Sequence, residues 1–178
     1  MNRPTEITAA EGNLFVVNQS NGKTGGEYIT KYDANTGLQV GGKLIQGLHG
    51  PIQIAVSGND LFVTNISQKT IDKYDATTGG LLKSGFITGL HNPTDVTASN
   101  EPLMQLLFVT DASNRSIDVY NVATGKPLPA LTITGLDGRP QGIDVVPGQT
   151  TSVPDLSASC LLMLISLGAI LGLRISVR

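Results

Sequence analysis

Oxygen-bearing side chains recur at fixed places along this sequence, and they are the first candidates for chemistry. Two residues after Pro4, Pro51 and Pro93 stand Glu6, Gln53 and Asp95, with Gly142 at the same place after Pro140. Asn18, Asn65 and Asp111 each close a short apolar run, LFVVN, LFVTN and LFVTD. Carboxylate and amide oxygens of this kind suit a hard cation such as Ca2+. The competing role is local: Asx side chains at strand ends commonly cap turns through their own backbone. His49 and His91 both lie just ahead of a proline junction and could act as base or ligand. Asp137 takes that place in the next copy, so repetition of the unit accounts for the pair. There is no GxSxG, no HExxH, no EF-hand loop and no glycine-rich loop between a strand and a helix. No catalytic residue and no metal set is therefore assigned, and a protein that is not an enzyme is the favoured expectation.

The elements that would position these residues follow from an internal repeat. Leu14–Asn18, Leu61–Asn65 and Leu107–Asp111 are three copies of one motif, and YDANTG at 32–37 returns as YDATTG at 74–79 and YNVATG at 120–125. GLHG at 47, GLHN at 89 and GLDG at 135 close the units, each followed by proline. Within a unit, short alternating runs rich in Val, Ile, Thr, Tyr and Phe are separated by Gly, Asn and Asp, which predicts strands joined by tight turns. In the second unit the strands fall near 52–56, 60–65, 70–75 and 82–88, with Ser57-Gly58-Asn59 and Thr78-Gly79-Gly80 as turns. Four antiparallel strands in a unit of this length make a β-propeller blade. The expected fold is all-β: a partial propeller of three four-stranded blades (3–50, 51–92, 93–138) and one strand of a fourth (139–148). Asp33 and Asp75 read as turn formers, and Phe15, Phe62 and Phe108 as packing between blades.

The third unit, LFVTDASNRSIDVYNVATG at 107–125, resembles the NHL-type propeller blade, and the whole of 3–148 resembles NHL or gluconolactonase-like propellers. Asn18 and Asn65 stand where that family often has Asp, and Asn114-Arg115 has no counterpart in SQKT at 67–70. The resemblance implies that the first strand of each blade is innermost, so that Glu6, Gln53 and Asp95 lead into a central channel. In the gluconolactonase-like family, Glu, Asn and Asp hold a divalent cation there. It thus implies an alternative function, a metal-dependent lactonase or lyase. Three blades and a strand do not close a ring, since propellers have typically 4 to 8 blades. Asn2-Arg3-Pro4 aligns with the junction Gly138-Arg139-Pro140, and residues 1–13 offer no apolar core for a secretory signal. The expectation is a piece of a longer propeller, the other possibility being closure by self-association.

After a polar linker at 149–152 the composition changes. Ala158–Leu173 carries no charge. As a helix it would span about 24 Å, near the roughly 30 Å hydrocarbon core of a bilayer. A single C-terminal transmembrane helix over 158–173 is expected, with Arg174 and Arg178 at its cytoplasmic end and the blades on the far side. Val153-Pro154-Asp155, the apolar helix and the terminal arginines together resemble the PEP-CTERM sorting signal in its VPD form. That resemblance implies a bacterial envelope protein handled by an exosortase, a membrane-anchored head left in place or released to the cell surface. The departures are Ser157, Ala158 and Ser159 where a Gly-Ser-Thr stretch is usual, and only two separated arginines. Cys160, the sole cysteine, reads as a small apolar helix residue and excludes an internal disulfide framework.

Composition agrees with one domain's worth of chain: 178 residues, 40% apolar, 15% charged and 4% aromatic. The net charge of -2 argues against nucleic acid as a partner. The expected function is a binding or matrix-interaction module at the cell envelope, with an exosortase and the membrane as partners and no required cofactor.

Overall fold

The computed structural model describes residues 3–20, 26–99 and 105–145, and the backbone alone at 173–177. Strands β1 (Arg3–Ala10), β2 (Asn13–Gln19), β3 (Glu27–Asp33) and β4 (Gln39–Leu48) form one antiparallel sheet in chain order. β5 (Pro51–Ser57), β6 (Asp60–Asn65), β7 (Thr70–Asp75) and β8 (Leu81–Ile87) form a second. A third contains β9 (Pro93–Ala98), β10 (Leu106–Asp111) and β11 (Ser116–Asn121). The inner strands β1, β5, β9 and β12 (Pro140–Val145) are neighbours in that order. The chain is thus part of a β-propeller.

The turn that joins the third strand to the outer one is dictated locally and repeats three times. Asp33 Oδ1 accepts the backbone N–H groups of Asn35 at 2.9 Å and Thr36 at 2.7 Å, and the Thr36 hydroxyl at 2.9 Å. Asp75 does the same with Thr77 and Thr78, and Asn121 with Ala123 and Thr124. Gly37, Gly79 and Gly125 then close each turn at φ of 70°, 73° and 68°, a left-handed conformation that costs other residues strain. These N–H donors hold the carboxyls of Asp33 and Asp75 below the usual range, chiefly through Thr36 and Thr78.

Packing follows from period-two alternation, because each blade turns one apolar face to the blade before it and the other to the blade after. Phe15, Val17 and Ile29 of the first blade meet Ile54, Leu61, Val63, Tyr74 and Ala76 of the second. Phe62, Ile71 and Ile87 of the second meet Val96, Leu107 and Val109 of the third. Phe108, Ile117 and Val119 of the third meet Ile143 on β12. The three phenylalanines are almost wholly buried, each in a different inter-blade core.

Two expectations are corrected. The third blade has three regular strands rather than four, because Pro127 and Pro129 lack the N–H groups that an outer strand needs. Its fourth segment is instead pinned at two bridges, Tyr120 with Pro127 and Ile117 with Ile133, around a single 3-10 turn at Pro129–Leu131. The fourth unit is also more than one strand. β13 (Leu173–Val177) pairs antiparallel with β12, setting Leu173 opposite Val145 and Arg174 opposite Asp144. The expected helix 158–173 therefore does not include Leu173, and Arg174 is in a sheet rather than at a helix end. Alternation in LRISV and the open edge of β12 favour the strand. Residues 158–172 of that helix, with Cys160, the motif Val153-Pro154-Asp155, the linker 149–152 and Arg178, lie outside the described residues. Among the described residues no helix is long and apolar enough to cross a membrane.

Candidate functional site

The oxygen donors two residues after each proline sit on a feature of the inner strands. Pairing with the second strand shifts register between Pro4 and Glu6, between Pro51 and Gln53, and between Pro140 and Gly142, with the matching shift opposite Pro93 between Thr110 and Asp111. A bulge at this point re-aims the side chain that follows it. Glu6, Gln53 and Asp95 are brought to the same level of three adjacent inner strands, with the Gln53 side chain near enough to Glu6 to lower its carboxyl. Asp95 Oδ1 accepts its neighbour Val96 N–H at 2.8 Å, and Oδ2 accepts Ile143 N–H at 2.7 Å, tying β9 to β12.

Burial pushes the Asp95 carboxyl up to about 6, against the pull of the Ile143 and Val96 N–H groups, and the charges of Glu6 and Asp144 push the same way. Burial also raises Glu6, partly offset by the Ile7 N–H and by Gln53. The unfolded chain releases the Asp95 proton near 3.8, so the folded state binds more protons between about pH 4 and 6. Stability should rise as pH is lowered from 7 through 6 toward 4, by about 2 kcal/mol after allowance for partial solvent screening. Glu6 and Asp118 act in the same direction; Asp33 and Asp75 oppose it only below their ordinary values. Urea midpoints measured from pH 4.5 to 7.5 check this, and Asp95→Asn should flatten most of the slope.

Asn18, Asn65 and Asp111 do not join the inner row. Asn18 Nδ2 donates to Val16 O and Thr30 Oγ1, both at 3.1 Å. Asn65 Nδ2 donates to Asp72 Oδ2 at 2.8 Å, and Asp72 Oδ1 in turn accepts Gly85 N–H at 2.6 Å. Asp111, fully buried, accepts four backbone N–H groups: His91 at 2.9 Å and Asn92 at 3.2 Å from one loop, Ser113 at 3.0 Å and Asn114 at 3.2 Å from the next turn. Asn18 and Asn65 are thus engaged within their own blades, whereas Asp111 also holds the loop that enters its blade from the second. The His91 ring is largely exposed, with Nδ1 at 3.1 Å from Asn114 Nδ2 and 3.7 Å from Asp111 Oδ2; His49 is exposed.

Asp72 and Asp118, on the third strands, went unnoticed in the sequence. Their signal is a carboxylate repeated inside an otherwise β-forming run, TIDKY and SIDVY. Burial raises the Asp118 carboxyl, and the charge of Asp111 raises it further. Among the described residues, no three His, Cys, Asp or Glu side chains come close enough to hold a metal ion. Both Asp95 oxygens and both Asp111 oxygens already accept backbone N–H groups. Among the described residues, these side chains do not by themselves assemble a site for a divalent cation. On the outer flank, Lys73, Leu82, Lys83, Phe86, Ala123 and Thr124 line a cleft of about 320 Å³ between the second and third blades. Lys73 Nζ is held there by Asp60 Oδ2 at 2.7 Å and lies 5.2 Å from the Phe86 ring centre.

No family model matches the sequence, and no curated protein is significantly similar to it. Solved structures are similar in fold. A calcium-binding regucalcin from Agrobacterium tumefaciens is 16% identical with a TM-score of 0.56, over 94% of this chain and 59% of that one. A luciferin-regenerating enzyme is 15% identical with a TM-score of 0.61, over 83% and 50%. Hydrazine synthase from Kuenenia stuttgartiensis is 22% identical with a TM-score of 0.57, over 81% and 39%. The chain therefore spans between about two fifths and three fifths of each of these proteins.

Proposed function

We propose that these blades belong to a non-catalytic binding module at the bacterial cell envelope, addressed there by the segment that begins at Val153-Pro154-Asp155. The observation that carries the binding reading is the internal engagement of the repeated polar residues: Asp111 holds four backbone N–H groups and Asp95 bridges two blades. Groups that hold loops and blades together have a structural role of their own, and the exposed rim loops and the flank cleft remain to meet a partner. A lactonase would need a cation set that these described residues do not assemble. The envelope reading is supported by the motif, by the uncharged stretch from Ala158, and by Arg174 and Arg178.

The fold sets a condition on that address. Val145 and Leu173 are directly opposite one another, so the segment between them leaves and returns at one end of the sheet. A segment that crosses a bilayer once puts its ends on opposite sides. Membrane insertion of 158–172 as a single span therefore requires β13 to leave β12, and sorting acts on that undocked form. The test is to express the chain behind a cleavable export signal in a Gram-negative host, with and without an exosortase, and to follow fractionation and intact mass. The expected result is a membrane-bound product of full mass without the exosortase and, with it, a product that has lost its C-terminal segment. Soluble periplasmic product of unchanged mass in both hosts would overturn the envelope reading; membrane-bound product of unchanged mass would overturn sorting and keep a plain anchor.

A further inference from the structure

The first blade carries, on the side away from the second, a copy of the surface by which the second packs on the first. Ile7, Ala9, Leu14, Val16 and Tyr32 occupy the repeat positions of Ile54, Val56, Leu61, Val63 and Tyr74. Register places them on one face, with Ile7 opposite Val16, and Ala9 opposite Leu14, which is opposite Tyr32. The second-blade set is the buried half of an inter-blade core, and the third blade repeats it with Val96, Leu107 and Val109. In the first blade the same positions face solvent: Ile7 is 57% exposed where Ile54 is 3% exposed. Ala9 is exposed, and Leu14, Val16 and Tyr32 are only half-buried.

A second observation, in the backbone, points to the same kind of neighbour. The turn that ends in Gly79 presses on the outer strand of the preceding blade so closely that a Cβ at Gly79 would collide with the Leu44 carbonyl oxygen. The turn ending in Gly125 repeats the approach, a Cβ there falling 2.6 Å from the Phe86 carbonyl oxygen. Gly37 ends a turn of the same sequence pattern and the same φ, yet nothing lies within 4 Å of its Cβ position.

We infer that the Ile7, Leu14 and Val16 face with the Gly37 turn is the receiving half of an inter-blade contact, and that its occupant is a four-stranded blade of this same repeat. The occupant would present the face that Phe15, Val17 and Ile29 present to the second blade, and lay an outer-strand carbonyl against Gly37. Continuity with the existing interfaces carries the choice, since among the described residues an apolar sheet face with this residue order is covered twice by a blade. In a repeat array each such contact adds a nearest-neighbour stabilising term.

The test supplies that blade. Residues 3–50 are duplicated ahead of residue 3 in the full chain, and urea unfolding and amide exchange are compared with the unduplicated protein. The expected result is a higher unfolding midpoint and at least tenfold slower exchange over residues 13–17 of the original first blade. Both gains should vanish when Ile7→Glu is placed in that original blade, a change that leaves the midpoint of the unduplicated chain nearly unmoved because Ile7 is exposed there. An unchanged or lower midpoint, or unchanged exchange, would overturn the inference. So would a disulfide formed between two copies of the unduplicated chain carrying Ile7→Cys and Cys160→Ser, because the face would then be covered by the same face of a second copy.

Discussion

Replacing Gly79 with alanine should destabilise the protein by about 3 kcal/mol or more and separate the first blade from the second. Two costs add. The residue sits at φ 73°, where a side chain costs roughly 1 kcal/mol. The new methyl also meets the Leu44 carbonyl, and backbone cannot rotate out of the way as a side chain can. Relief requires the turn to retreat, which opens the core where Ile54, Tyr74 and Ala76 contact Phe15 and Ile29. Gly37→Ala is the control. It has the same turn and nearly the same φ but open space at the Cβ, so it should lose only about 1 kcal/mol. Urea midpoints of the two variants give the comparison, and a difference below about 1 kcal/mol would contradict the close approach.

Asp111→Ala should cost about 3 to 4 kcal/mol, because it strands several buried N–H groups at once and cuts the tie between two loops. One oxygen or the other of that carboxylate holds His91 and Asn92, which lead into β9, and Ser113 and Asn114, which lead into β11. Asp111→Asn keeps one acceptor and should fall between alanine and wild type. If both substitutions were tolerated within 1 kcal/mol, the carboxylate would not be the clamp described. Thermal unfolding by circular dichroism measures the series, and the first and second blades should keep their strands in the folded variants.

The parts of the molecule legible in the sequence are those fixed by neighbours in the chain. YDANTG and YDATTG encode their turns through one Asp and one Gly, and alternation in LFVVN, LFVTN and LFVTD places the phenylalanines in cores between blades. The irregular end of the third blade was also encoded, in Pro127 and Pro129, but the force of repetition hid it. For β13 the alternation in LRISV was outweighed, because its pairing with β12 joins residues far apart in the chain and an uncharged run upstream of it points to a helix. For the candidate site, sequence gives donor identity and repeat position, not what each donor touches. Glu6, Gln53 and Asp95 come together because of bulges that alternation does not reveal. Asn18, Asn65 and Asp111 bind locally, and the partners of the latter two include a buried third-strand carboxylate and loop amides.

Each apolar core is shared by only two consecutive units. Loosening one unit therefore weakens its immediate companions and no others, so the array comes apart from its extremities inward, like a stack of coins disturbed at the rim. Leu61, Phe62 and Val63, on a unit flanked on both sides, should be the last to surrender their amide protons, while Ile143, in a two-stranded sheet, gives way early.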